Sequence, residues 1–244
     1  ELIATGTEPT LQFNNNSLDL TSDNAQLKLG TSLNLNGILT SEKTAVTLSA
    51  DSTLSRSSAF TLGSINLQNL ALILGSAESD LTVTGAVTFG YPSSQINTRG
   101  ADLSLQSAVS LANGKISSTA GTLVFEQGAA LGGNNAILDF SGSTVEFSGT
   151  LNVGAGTITS DNGSVLELQA ASSFSSSAVF TIPTLDLNSQ ALTLNTSSTH
   201  LALSNPFTVG ASESVNTQTG SLTLNGSGTL EDNGKIESSA GSLT

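Results

Sequence analysis

The chain is nearly the same sequence written twice, with a period of about 120 residues, so any fold it adopts must build both halves from one plan. Phe60-Thr61-Leu62-Gly63-Ser64-Ile65-Asn66-Leu67 returns as Phe180-Thr181-Ile182-Pro183-Thr184-Leu185-Asp186-Leu187. Asn113-Gly114-Lys115-Ile116, with Ala120-Gly121-Thr122-Leu123 behind it, returns as Asn233-Gly234-Lys235-Ile236 with Ala240-Gly241-Ser242-Leu243. Leu18-Asp19-Leu20 returns as Leu138-Asp139-Phe140. Between these anchors the offset drifts to 118 or 119, as where Leu33-Asn34-Leu35 becomes Leu151-Asn152-Val153, so small insertions fall in turns. This divides the chain into repeat units 1–121 and 122–244 of one continuous rod.

Composition narrows the choice of fold. Only 10% of residues are charged and 4% aromatic, and Ser, Thr, Asn and Gly fill most polar positions. A chain this poor in Lys, Glu and Arg lacks the residues that normally cover helix surfaces. Its 37% apolar content, in regular short bursts, buries enough surface to offset chain entropy and argues against disorder. The net charge of −13 repels phosphate backbones and anionic headgroups, which excludes nucleic acid and membrane surfaces as expected partners. The longest purely apolar run, Leu70-Ala71-Leu72-Ile73-Leu74, falls far short of the roughly 20 residues a spanning helix needs. The absence of Cys fits a secreted bacterial protein, and a start at Glu1 without initiator Met or signal-like region points to a mature chain or an excerpt.

Within each unit apolar residues alternate with polar ones: Leu27-Lys28-Leu29, Val46-Thr47-Leu48, Leu81-Thr82-Val83, Val87-Thr88-Phe89, Leu103-Ser104-Leu105, Val109-Ser110-Leu111. Period two means strands. The pairs recur about every seven residues, separated by Gly, Asn, Ser and Asp, with Asn-Gly at 36, 113, 162, 225 and 233. Sandwich strands run longer, with turn signals every 8–12 residues or so, whereas this unbroken short beat favours an all-β parallel solenoid (β-helix) whose coils stack. Three strands per coil give about 20 residues per coil, about six coils per unit and a rod of roughly 60 Å at ~4.8 Å per coil. Leu67/Leu187, Leu74/Leu194, Phe60/Phe180 and Leu81/Leu201 are expected to point inward.

The segment Gly220-Ser221-Leu222-Thr223-Leu224-Asn225-Gly226-Ser227-Gly228-Thr229-Leu230-Glu231-Asp232-Asn233-Gly234-Lys235-Ile236 resembles the right-handed parallel β-helix passengers of bacterial autotransporters and filamentous-haemagglutinin-like surface proteins, and the likeness of pattern extends along the whole chain. The resemblance implies a surface or extracellular location and adhesion, biofilm or fibre roles. It carries over no catalytic residue.

The two copies also serve as an internal comparison, because a site used in both should match in both. Most charged positions do not: Asp51 faces Ala171, Arg56 faces Ser176, Glu78 faces Ser198, Asp80 faces His200 and Glu213 faces Ser93. Asp19/Asp139 and Lys115/Lys235 keep their chemistry. β-Helical lyases and hydrolases need carboxylate clusters beside Arg or Lys, and this chain has two arginines, Arg56 and Arg99, and no dense acidic cluster beside either. His200, the one histidine, has no G-x-S-x-G elbow and reads as a turn residue in the place of Asp80. No Cys, a single His, and Gly132-Gly133-Asn134-Asn135 without a correctly spaced acid leave no metal site to expect. Asp19 and Asp139, each between apolar neighbours, read as outward and solvated rather than as Ca²⁺ ligands. Thr82-Val83-Thr84, Thr157-Ile158-Thr159 and Thr217-Gln218-Thr219 have the outward T-x-T form of ice-binding faces but do not recur at each coil. The sequons at Asn15, Asn162, Asn195 and Asn225 follow from a composition rich in Asn, Ser and Thr.

The expected function is therefore non-enzymatic, with no catalytic, cofactor-binding or metal-binding residues and no cofactor: a repetitive building block of an extracellular fibre, sheath or surface stalk. The alternative is a surface-displayed adhesin or glycan-binding module. Both ends stop in mid-pattern, so the expected partner is the chain itself, stacked head to tail or continuing covalently, with surface glycans or other cells as further partners.

Overall fold

The computed structural model describes residues 25–30, 44–55 and 59–244, together with the strand backbones Leu2–Ala4, Thr10–Leu11, Ser17–Asp19, Leu33–Leu35 and Ile38–Thr40. Arg56, Asn36-Gly37, the Asn15 sequon and the side chain of Asp19 lie outside the described residues. The described residues form 35 strands and no helix, numbered in chain order from β1 (Leu2–Ala4) to β35 (Ser242–Leu243).

Each strand is two to five residues long, and most of those whose side chains are described alternate inward and outward residues, as the period-two pattern dictates. Single strands this short have no stability alone, and most are held by parallel pairing to the strand three places on. One sheet runs through β9 (Phe60–Leu62), β12 (Leu81–Val83), β15 (Leu103–Leu105), β18 (Thr122–Phe125), β21 (Thr144–Phe147), β24 (Val165–Leu168) and β27 (Thr184–Asp186). The register puts like over like, with Leu81 on Leu103, Leu103 on Leu123, Leu123 on Val145 and Val145 on Leu166. Two further faces are built in the same way, so that the chain is a parallel β-solenoid with three strands and about 21 residues per turn.

The buried apolar side chains of the described residues form one continuous core running through both units. Phe60, Leu67, Leu74 and Leu81 are buried, as are their counterparts Phe180, Leu187, Leu194 and Leu201. Aromatic rings stack within the second unit: Phe125 lies 5.9 Å from Phe147, Phe147 6.1 Å from Phe174, and Phe174 6.2 Å from Phe180.

The corners share a device. After the inward residues Ile65, Ile96, Leu185 and Val215 comes Asn66, Asn97, Asp186 or Asn216, whose side-chain oxygen accepts the N–H of the residue two positions on. That residue is Gln68, Arg99, Asn188 or Gln218, and each has φ between +46° and +56°. An Asn or Asp side chain that mimics a backbone turn makes this otherwise costly conformation accessible. Arg99 is thus an exposed corner residue. Where coils approach more closely only glycine fits: at Gly121 φ is +78° and an added Cβ would lie 2.6 Å from Gly100 O, and at its counterpart Gly241 it would run into Gly220 O.

The stacking agrees with the expected count of about six coils per unit and refines it. Phe60–Leu62 is β9, and its counterpart Val179–Ile182 is β26; the same step of 17 strands links β10 (Ser64–Asn66) to β27 and β11 (Ala71–Leu74) to β28 (Ala191–Leu194). Seventeen is not a multiple of three, so one unit spans five and two-thirds turns. The second unit is consequently turned by one face relative to the first. Ser64–Asn66 pairs with Ala45–Leu48 and Val87–Thr88 in one sheet, whereas Thr184–Asp186 lies in the sheet of β9. With ~4.8 Å between coils, each unit advances the axis by roughly 27 Å.

Candidate functional site

The outward acids that differ between the copies have a common use. Asp51 accepts the Ala71 N–H at 2.8 Å, Asp80 the Asp102 N–H at 2.9 Å, and Asp102 the Thr122 N–H at 2.7 Å. Glu213 accepts from Ser189 N at 2.9 Å and Gly210 N at 2.6 Å. Each carboxylate ties a corner to a neighbouring turn where the ladder leaves an N–H unpaired, a strong charge-assisted bond. His200 does the corresponding work in the place of Asp80, bonding through Nδ1 to the Ser221 hydroxyl one turn on. Glu78 is exposed.

The positions that do keep their chemistry meet across the unit boundary. Lys115, on β17 (Gly114–Ser117) at the end of the first unit, donates to Asp139 Oδ2 at 2.7 Å, and Asp139 ends β20 (Ala136–Asp139) at the start of the second. The two strands are paired, with Ile116 on Leu138. Asp139 is not simply solvated. Burial raises its pKa, but hydrogen bonds from Lys115 and from the hydroxyl and N–H of Ser141, with the Lys115 charge, outweigh this and hold it below the ordinary value. Because the folded state holds the proton less tightly than the unfolded one, the contribution is present above the unfolded pKa of ~3.9 and is lost as pH falls through the folded value. Lys115→Met is expected to cost up to about 1 kcal/mol at neutral pH, since the pair is partly exposed. Denaturant melts of the two proteins should converge in strong acid.

A groove of about 580 Å³ opens on one face between β23 (Thr157–Thr159) and β26 (Val179–Ile182). These strands follow one another up the face but belong to separate sheets. Gly156 explains the gap: its N–H turns to Leu131 O of the turn below, and an added Cβ would lie 2.5 Å from Leu131 Cβ, so the chain is drawn toward that turn before Thr157. Beside the groove Asn205 Nδ2 reaches Asn162 O at 3.2 Å and Thr184 Oγ1 at 2.9 Å, linking corners two turns apart. The lining combines the Thr157 and Thr159 side chains with Val179, which is 65% exposed. Asp161 also lines it. Its carboxyl is held below the usual range by the Ser164 hydroxyl, then the Gly142 N–H, with a further bond from Gly163 N–H. That carboxylate fixes a corner, and with Val153, Ile158, Phe180 and Pro183 lining the groove beside Val179 the arrangement is suited to holding an uncharged polar chain by hydroxyls and apolar contacts.

Sequence reasoning missed the hydroxyls that point inward. Thr98 Oγ1 donates to Ser118 Oγ at 2.8 Å, Ser143 Oγ donates to the same oxygen at 2.9 Å, and Ser118 Oγ donates to Ala120 O at 2.5 Å. Thr98, Ser118 and Ser143 are all buried. Thr217, expected on an outward T-x-T face, is also buried, and its hydroxyl donates to Glu237 O. The signal was available, because Thr98 and Thr217 both follow Φ-Asn and precede a left-handed corner residue.

Comparison of the chain with protein-family models, with curated proteins and with solved structures gave no match.

Proposed function

We propose that this chain is a non-enzymatic structural protein, a repetitive β-solenoid building block of an extracellular fibre, sheath or surface stalk. It stands on the cell surface or outside the cell, in the manner of the bacterial passenger proteins its sequence resembles. The observation that carries the reading is the pattern of what the two copies retain: inward core residues, corner glycines and one ion pair across the unit boundary. Everything retained serves stacking, and a rod stiffened by inter-turn hydrogen bonds along its length is what a stalk requires. The charged residues that vary are corner ties for which other acceptors substitute.

A second reading, an adhesin or glycan-binding module, is favoured by the groove beside Val179. Electron microscopy of the material displayed by producing cells, with glycan-array binding of the purified chain, separates the two. Rods with a ~4.8 Å meridional repeat and no glycan retention are the expected outcome. Saturable glycan binding abolished by Val179→Asp would replace the structural reading with the adhesive one.

A further inference from the structure

The ladder of parallel pairs is broken at one step on the side of the rod, where β23 is the last strand of one sheet and β26 the first of another. Among the described strands the counterpart step of the first unit is broken too, since one sheet ends at Ile38–Thr40 and another begins at β9. The two further breaks, from Val87–Thr88 to Val109–Leu111 and from β27 to Phe207–Val209, each occur in one copy only. In the second unit the break common to both copies opens the groove of about 580 Å³, within the range of roughly 300–1,000 Å³ usual for ligand sites.

The backbone groups that border this groove follow from the ladder on either side of it. In a parallel ladder successive residues direct N–H and C=O alternately to one neighbouring strand and the other. Phe140 N–H donates to Thr159 O at 3.0 Å, so Thr157 and Thr159 are turned to the strand below, and Ile158 between them is turned into the groove. On β26, Phe180 and Ile182 are in register with Leu201 and Leu203 above, and Phe60, the counterpart of Phe180, donates its N–H upward to Asp80 O. Val179 and Thr181 therefore turn N–H and C=O down into the groove, on the edge where β26 has no ladder partner. Their side chains are exposed, whereas Ile158 and Phe180 point inward and form an apolar floor with Val153. Asp161 is exposed at the same groove, and its bonds from Gly142, Gly163 and Ser164 all fall on Oδ1, so Oδ2 remains to take a cation.

We propose that this groove docks an extended segment of a partner polypeptide, which pairs its backbone with the free edge of β26 and sets a Lys or Arg beside Asp161. The proposal goes beyond the structural reading and adds a binding face to the side of the rod. An exposed strand edge is a template for another strand, and such pairing takes its affinity from the main chain and its selectivity from alternate side chains. The side chains of the partner that turn inward meet Ile158, Phe180 and Val153, so its segment alternates apolar with small polar residues. The four residues of β26 span roughly 13 Å, which sets the paired length. Charge restricts the partner further, because a net charge of −13 with Asp161 at the groove repels an acidic segment and favours a basic one. Sugar hydroxyls match the Thr157 and Thr159 side chains, whereas the regular spacing of N–H and C=O along a strand edge is matched by another backbone.

The test is binding of a short, fluorescently labelled peptide of alternating Thr and Val ending in Lys to the full chain, read by anisotropy and by amide chemical shifts. Saturable binding with shifts at Ile158, Val179 and Thr181 is expected. N-methylation of alternate residues of the peptide separates strand pairing from mere side-chain contact without altering the protein. Methylation of the set whose N–H groups face β26 should weaken binding at least about tenfold more than methylation of the other set. Asp161→Asn, which keeps Oδ1 as an acceptor, should weaken binding up to about fivefold and make it indifferent to exchange of the terminal Lys for Gln. Methylation that affects both sets equally would overturn the proposal, as would no binding at about millimolar peptide. Saturable binding of a neutral glycan in the groove with none of the peptide would overturn it in favour of the adhesive reading. The structural reading stands apart from these outcomes and fails only if the displayed material contains no rods.

Discussion

Replacing Phe147 with alanine is expected to cost about 3–5 kcal/mol, the loss typical of a large aromatic removed from a core that cannot collapse onto the space. The ring is fully buried and stands between Phe125 and Phe174 at 5.9 and 6.1 Å, so its removal also ends two favourable aromatic contacts. The first unit supplies the control. Its counterpart is Leu29, equally buried, and Phe174 corresponds to Leu54, so the same coil geometry is built there from aliphatic side chains. Phe147→Leu should accordingly cost less than about 1.5 kcal/mol. Because each turn contacts only its neighbours, the loss is local before it is global. Amide exchange should accelerate first on Thr144–Phe147 and on its partners Thr122–Phe125 and Val165–Leu168. Exchange in the leucine variant equal to that of the unaltered protein would mean that the stack contributes nothing beyond volume.

The same comparison explains what could be read from the letters. Period two placed the strands, and the duplication picked out Leu67/Leu187 and Leu74/Leu194 as inward, which the structure bears out. It did so because one strand's facing is a local property. The phase of the solenoid is not local. Register partners lie 19 residues apart at Leu166 and Leu185 but 24 apart at Leu72 and Ile96, and only pairing decides where each corner absorbs the difference. The count of about six coils per unit was therefore legible, but not that a step of 17 strands makes it five and two-thirds and turns the second unit by one face. The acids were legible as divergent between copies but not as corner ties, since Asp80 and Asp102 find their partners 22 and 20 residues on. The ion pair was half visible: Lys115/Lys235 and Asp19/Asp139 were recognised as the retained charges, and only stacking revealed Lys115 and Asp139 as a single pair.

Inward hydroxyls were hidden because a polar letter at an alternating position reads as an outward one, and their energetics differ from those of the aliphatic core. Ser118 accepts from Thr98 and Ser143 in buried bonds and donates to Ala120 O at the partly buried corner. Ser118→Ala removes one small oxygen but leaves two buried hydroxyl donors without that acceptor and one carbonyl without its donor. At about 1–3 kcal/mol for each group left unsatisfied, a loss of about 2–4 kcal/mol is expected after partial rearrangement, more than the missing volume alone would cause. The asymmetry gives a sharper test. Removing all three hydroxyls together, with Thr98→Val, Ser118→Ala and Ser143→Ala, takes away the unsatisfied donors as well as their acceptor. The triple variant should lose less stability than the sum of the three single changes, and less than Ser118→Ala by itself if the introduced valine fills the space of Thr98. Denaturant melts of the triple variant and the three single variants decide it. Strict additivity would show that the hydroxyls act independently, whereas a triple variant more stable than the Ser118→Ala protein would show that the network stabilises the corner only when complete.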